Sequence, residues 1–264
     1  MMKADSLTSR HIRGFRHPIH EVEFRHRCRN ELETEGVLVL REFFTDAVIQ
    51  QAAEESAALE ASAFYSNAVH NVYLTATDPE LTGTHPFNRP VVSNKGLIAD
   101  DLIATNSPLR EIYADPQFRA FLGFVLGLES LYPYPDELST IVISVASEGM
   151  ELGWHFDTSA SSVTMLLQSP DGGGVFEYVP EGRDADAGDM GFARVKQVLV
   201  GREPVRTLDF SPGDLVVFRG RNALHRVTTV NGSTTRSVVI LAFNERPDAS
   251  MSQEALRTFF GRTT

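Results

Sequence analysis

His155, Asp157 and His225 are the residues of this chain best suited to act together chemically. His155 and Asp157 stand one residue apart in GWHFDTSASSVTMLLQ (153–168), a stretch otherwise rich in strand-forming side chains. In a strand, residues two apart face the same side, so an imidazole and a carboxylate project into one space. His225 follows much later, in NALHRVTTV, and Arg236 opens RSVVILAFNE one strand beyond it. Two imidazoles and one carboxylate on one face of a metal leave its other positions open, which suits Fe(II) that must bind a co-substrate and O₂ together. The guanidinium of Arg236 matches a carboxylate through two parallel hydrogen bonds, so it can anchor a dicarboxylate whose far end chelates the metal. Taken singly, each residue has a plainer explanation: a hydrogen-bonded pair at a strand end, a satisfied core histidine, a surface arginine at a hairpin exit. The metal reading accounts for all four at once.

These residues must be positioned by the surrounding elements. The pattern predicts a helix over roughly 20–35, stopped by Gly36, where a helix commonly ends. VLVLREFF then reads as a buried strand, and TDAVIQQAAEESAALEASAF as an amphipathic helix capped by Thr45 or Asp46. Residues 66–108 read as loops and short strands around an opening, and 107–129 as two helical pieces broken before Pro116. From Leu138 onward, about eight short segments rich in Val, Ile, Phe and Thr alternate with turn residues such as SPGD (211–214) and NGS (231–233). The expected fold is mainly β with N-terminal helices: a double-stranded β-helix, the jelly roll shared with cupins, formed by residues 1–264 as a single domain. The longest insertion, 181–201, reads as a flap.

Several features carry less chemistry. Gly172-Gly173-Gly174 lacks the helix and lysine of a phosphate cradle and reads as a hairpin turn. Trp154 and Phe156 alternate away from the ligand face as packing residues. HPIHEVEFRHRC (17–28) holds three histidines and a cysteine, but its spacing fits a solvated helix face better than a tetrahedral site. For substrate contacts, Asn244 lies an even number of positions beyond Arg236, on the same face by strict alternation. Asn88 and Arg89 sit in the irregular region, where an arginine can meet a substrate carboxylate.

The net charge of −11 argues against nucleic acid and anionic membrane surfaces as partners. The single cysteine, Cys28, allows no disulfide within the chain. The opening MMKADSLTSRHIRGFRHP has no apolar core and does not read as a secretory signal. No apolar run is long enough to span a bilayer as a helix. A cytoplasmic location is expected. The oligomeric state is left open, a homodimer being the form considered.

EGVLVLREFF followed by a helix, and the core from 138 to 245, resemble the Fe(II)- and 2-oxoglutarate-dependent dioxygenases, in their phytanoyl-CoA-hydroxylase-like branch. More narrowly, HFDTSASSVTMLLQSPDGGGVFEYVP resembles small bacterial enzymes that hydroxylate or halogenate free amino acids. The resemblance implies that His155, Asp157 and His225 are the iron ligands. It makes Arg236 the partner of the distal 2-oxoglutarate carboxylate, with the hydroxyl of Ser237 assisting. It implies Fe(II), 2-oxoglutarate and O₂ as cofactors, with ascorbate as the in vitro reductant. In halogenating relatives, Gly or Ala replaces the metal-binding carboxylate so that chloride can enter; this chain keeps Asp157, which favours hydroxylation. The implied activity is oxidation of an unactivated C–H bond of a small polar metabolite, with hydroxylation of a free amino acid or derivative in specialised metabolism as the expected form. The rivals are cyclisation, desaturation or halogenation at the same centre, a non-catalytic cupin-like metal-binding module, and a zinc enzyme.

Overall fold

The computed structural model describes residues 10–248 and 250–264. The N-terminal third supplies the helices. α1 (Val22–Glu35) ends at Gly36, which takes a left-handed φ of 72°. β1 (Val37–Leu40) leads into α2 (Asp46–Leu59). α2 ends before the expected helix does, because Phe64 already starts a strand. Two further helices, α3 (Pro108–Ala114) and α4 (Pro116–Leu126), meet at Asp115. Asp115 accepts bonds from the backbone N–H groups of Gln117 and Phe118, and prolines open both helices. This is the break expected before Pro116.

Between α2 and α3 the sequence reading expected loops and short strands. Residues 71–90 are irregular as expected, but the strands that flank them, β2 (Phe64–His70) and β3 (Val91–Ile98), are longer than expected and pair along their whole length. Polar residues in VVSNKGLI obscured β3; Ser93 Oγ accepts from the Gly153 N–H and Asn94 Oδ1 from the Glu151 N–H where β3 meets the strand Glu151–His155. The remaining strands are β4 (Tyr132–Pro133), β5 (Ile141–Ala146), β6 (Glu151–His155), β7 (Ser162–Gln168), β8 (Gly172–Gly173) and β9 (Phe176–Val179). After α5 (Phe192–Leu199) come β10 (Arg206–Leu208), β11 (Leu215–Phe218), β12 (Leu224–Val227), β13 (Val230–Asn231), β14 (Arg236–Leu241) and β15 (Phe243–Asn244). α6 (Gln253–Phe260) follows.

Eleven strands form one antiparallel sheet in the order β1-β11-β7-β14-β5-β3-β6-β12-β9-β10, with β2 added on β3. β3 turns the corner. Its Gly96–Ile98 half pairs with β5, and Ser93 and Asn94 pair with β6. The sheet thereby curls into two facing wings, the double-stranded β-helix expected from the sequence. Helices α1 to α4 cover the outer face of the first wing. Phe24, Leu32, Val48, Leu109, Phe118 and Phe121 pack there against Val163, Met165, Val217 and Val239. The outer face of the second wing is covered by α5, whose Val195 and Val198 join Trp154, Phe156 and Tyr73. The stretch read as a flap is therefore anchored by its own helix. The glycine run is not the expected hairpin turn: Gly172 and Gly173 form β8 and pair with Asn231 and Val230 of β13. No helix among the described residues is long and apolar enough to cross a membrane.

Phe121 is fully buried and stacks at 5.9 Å on Phe24, remote from the metal-type cluster. Phe121→Ala is expected to destabilise the fold by about 3–5 kcal/mol in urea unfolding, while the folded fraction keeps its metal affinity. Equal stability would mean that this helical layer does not brace the sheet.

Candidate active site

His155 ends β6 and His225 lies in β12, and the two pair directly across the ladder. A β-bulge makes this possible. The two ladder partners Leu152 and His155 are three positions apart on β6, while their counterparts Val227 and His225 are two apart on β12. The extra residue turns His155 back to the inner face, a common use of bulges beside functional sites. Gly153 sits in the bulge. A Cβ there would stand 2.4 Å from the Val92 carbonyl oxygen, so no larger residue fits. Trp154 and Phe156 point outward, as the alternation predicted.

Each imidazole is oriented through its Nδ1. His155 Nδ1–H donates to the Gly153 carbonyl at 2.8 Å, and His225 Nδ1–H to the Ala223 carbonyl at 2.9 Å. Both Nε2 lone pairs are then aimed into one space. Asp157 Oδ1 lies 3.6 Å from Nε2 of His155 and 3.4 Å from that of His225. Donor atoms held about 2.1 Å from one metal in adjacent positions stand about 3 Å apart, so this set is close to ligation geometry. Burial and the neighbouring His225 push His155 down to about 4, so its ring is neutral near neutral pH. Burial would raise Asp157, but the two imidazoles outweigh it and hold the carboxyl well below its usual range. The result is an anionic carboxylate beside a neutral His155, with both Nε2 atoms turned toward it: a donor set that fits a divalent metal.

The backbone reserves a seat for that carboxylate. Asp157 N–H donates to Gly220 O at 3.0 Å, and a Cβ on Gly220 would lie 1.9 Å from Asp157 Oδ2. Behind it, Arg183 ties two loops together. Its Nε–H donates to Arg221 O at 2.7 Å and its Nη2–H to Asp157 O at 3.4 Å. Its guanidinium also lies 4.3 Å from the centre of the Phe156 ring, which stacks on Tyr73 at 5.5 Å. Sequence reasoning missed Arg183, because its partners are remote in the chain.

Arg236 opens β14 with its side chain inside the barrel, 8 % exposed. Burial lowers its pKa to about 10, which still leaves it charged near neutral pH. Gly174 makes room for it, since a Cβ there would meet Arg236 Cδ at 2.9 Å. Ser237 is not brought to this group. As the next strand residue it faces outward, and its hydroxyl meets Ser56 of α2 at 2.6 Å. Lys95 of β3 is another residue the sequence reading passed over. Burial lowers its pKa, Arg236 pushes the same way, and Asp157 partly offsets both. The available signal was a lone charge in an otherwise uncharged strand.

A cavity of about 930 Å³ opens beside the cluster. Thr158, Tyr178, Phe218 and Ala223 line it, and the Phe218 ring stands 4.9 Å from that of His225. Asn244 lines it too, though not by the predicted alternation. The strand breaks at Ala242, and β15 pairs with β4 instead. Arg89 lines neither this cavity nor the His–Asp–His cluster. Asn88 is a turn brace, donating to the carbonyls of Asp78 and Leu81.

A model of the family described as halogenase D matches residues 20–260. The chain belongs to the halogenase D family. No curated protein matches it at a significant level. Among solved structures, it is similar to an oxidoreductase of the 2OG-Fe(II) oxygenase family from Burkholderia pseudomallei, at 15 % identity over 86 % of this chain and 93 % of that one, TM-score 0.54. It is also similar to the non-heme alpha ketoglutarate dependent epimerase SnoN from nogalamycin biosynthesis, at 14 % identity over 83 % of each chain, TM-score 0.58. A Pseudomonas putida prolyl-4-hydroxylase is 15 % identical over 84 % of this chain and 99 % of that one, TM-score 0.51. At these identities the likeness is one of fold, and it is the expected jelly roll. This halogenase D family member has the fold of the oxygenases it is similar to, and its His155–Asp157–His225 cluster could hold a metal ion.

Gly220→Ala is expected to unseat the Asp157 carboxylate and weaken Fe(II) binding at least about tenfold, on the scale seen when the surroundings of a ligand are altered. Anaerobic metal titration checks this; undiminished affinity would mean that the carboxylate does not depend on that seat.

Proposed function

We propose that His155, Asp157 and His225 hold Fe(II), that Arg236 holds the distal carboxylate of 2-oxoglutarate, and that the enzyme hydroxylates a small zwitterionic metabolite of the free amino acid class. The observation that carries the reading is the half-buried carboxylate of Asp157, seated against Gly220 between two imidazoles. The chemistry supplied by Fe(II), 2-oxoglutarate and O₂ is oxidation of an unactivated C–H bond coupled to conversion of the keto acid to succinate and CO₂. The chain's own contribution is positional. Gly153 O and Ala223 O fix both imidazole tautomers, and Arg236 presents its guanidinium from inside the barrel. The apolar walls around Phe176, Tyr178 and Phe218 keep water from the reacting carbon.

Hydroxylation rather than halogenation follows from Asp157. A coordinated carboxylate occupies the position that a halide would need, and its seat is built to the size of that carboxylate. The substrate class is supported by the cavity mouth, where Glu181 and Glu245 stand among Arg219 and Arg246. Mixed charges of this kind can meet both the ammonium and the carboxylate of an amino acid. We read residues 1–264 as one domain serving this site.

The test is a mass-spectrometric screen of free amino acids and derivatives with Fe(II), 2-oxoglutarate and ascorbate, chloride present. The expected result is a product heavier by one oxygen, with matching succinate and no chlorinated species. A chlorinated product, or no succinate with any compound, would overturn the reading. Asp157→Ala is expected to lose hydroxylation by at least about a hundredfold, because one of three metal ligands is gone. Full hydroxylation in that variant would remove Asp157 from the metal.

A further inference from the structure

Asp157 stands two residues beyond β6, in a loop. Among the described residues, the two imidazoles are the groups that meet its carboxylate, and no backbone N–H points at it. Its aim therefore depends on where the main chain at 157 lies, and on the Gly220 backbone against which the carboxylate rests. Gly220 belongs to a second loop, joined to the first by the bond from Asp157 N–H to Gly220 O at 3.0 Å. Arg183 comes from a third segment, and its guanidinium is bonded to both loops, to Arg221 O through Nε–H and to Asp157 O through Nη2–H. The segment that carries it is held independently. Arg183 N–H donates to Asn222 O at 3.2 Å, and Ala185 N–H to Asn222 Oδ1 at 3.0 Å. Asp184 and Asp189 exchange two backbone bonds of 2.9 Å, and Tyr73 Oη donates to Met190 O at 2.8 Å.

The main-chain bonds already close the 183–189 segment, so the fork of Arg183 is not needed to shape it. What the fork does is set a distance. A guanidinium is planar and rigid, and its N–H groups fix the spacing of the two acceptors they meet. Its plane is fixed in turn by the Phe156 ring, 4.3 Å away, which is 1 % exposed and adjoins Asp157 in the chain. A metal tolerates errors of only about 0.2 Å in its ligand distances, so the spacing of the two loops matters to the carboxylate they carry between them. We propose that Arg183 is a positioning residue for the metal site: by spanning Arg221 O and Asp157 O it holds the Asp157 carboxylate on aim. This rests on the reading of Asp157 as a metal ligand. Arg183 makes no hydrogen bond to the carboxylate or the imidazoles, so it acts through the main chain alone.

The test is a double-mutant cycle read by metal affinity, with Co(II) as the probe and its visible absorption as the signal. Arg183→Met keeps an unbranched stem over Phe156 and removes both bonds. Its Kd for Co(II) is expected to rise about tenfold or more, the scale of losing a partner that orients a ligand. In the Asp157→Ala background the same substitution is expected to change Kd by less than about twofold, because the group it positions is gone. Should Arg183→Met not fold, the cycle is run with Arg183→Lys, whose ammonium cannot span both carbonyls. Its Kd is expected to rise about threefold, the scale of one ordinary hydrogen bond, and again only where Asp157 is present. A Kd within about twofold of the unsubstituted protein overturns the role of Arg183 and leaves Asp157 as a ligand. The same fold-change with and without Asp157 also overturns it, since a merely structural brace would weaken both backgrounds alike. If Asp157→Ala binds Co(II) as tightly as the unsubstituted protein, the ligand reading fails and the proposal with it.

Discussion

Asp157 keeps its charge inside a barrel, and much of the surrounding architecture answers that requirement. Removing a carboxylate from water costs on the order of several kcal/mol even after relaxation. Here the cost is offset locally. Two imidazoles stand within 3.6 Å, and the guanidinium of Arg183 braces the main chain behind. A shift of Asp157 by one side-chain length would run into the backbone of Gly220. The carboxylate can therefore neither relax away from the imidazoles nor readily take up a proton. A site of that kind is poised for a cation.

The result is a charged interior: Asp157 stands with the two histidines, Arg236 lies inside the barrel, and Lys95 of β3 feels both. Packing supports it without taking part. The four N-terminal helices bury the outer face of one wing and α5 that of the other, so both inner faces can carry polar groups. Small residues stand at the crossing points. Gly153 admits the bulge and Gly174 clears the stem of Arg236.

Membership of a halogenase family and retention of the carboxylate pull in different directions, and the proposed function gives the second more weight. Family resemblance is spread over residues 20–260, most of which set the fold. On the proposed reading, the choice between hydroxyl and halide turns on Asp157 and on the space beside it.

The sequence by itself determined the class of fold, the helix breaks at Gly36 and Pro116, and the choice of His155, Asp157 and His225, which the fold brings together, with Arg236 inside the barrel. These rest on short-range rules: period-two patterning, cap residues, and the few side chains able to bind metal. It also led to errors where the rules are local and the answer is not. Ser237 was placed beside Arg236, but neighbours on a strand face opposite ways, and α2 supplied its partner. Asn244 reached the cavity by a strand break that alternation could not foresee. The stretch 181–201 read as a free insertion because its helix is short, yet Val195 and Val198 find their apolar partners on β6 and in the loops after it. Lys95 was hidden because a polar residue in a strand looks like a loop until the far wing closes over it. Only the tertiary structure could decide which residues share the enclosed space, since that is settled by contacts between segments remote from one another in the chain, such as β3 and β14.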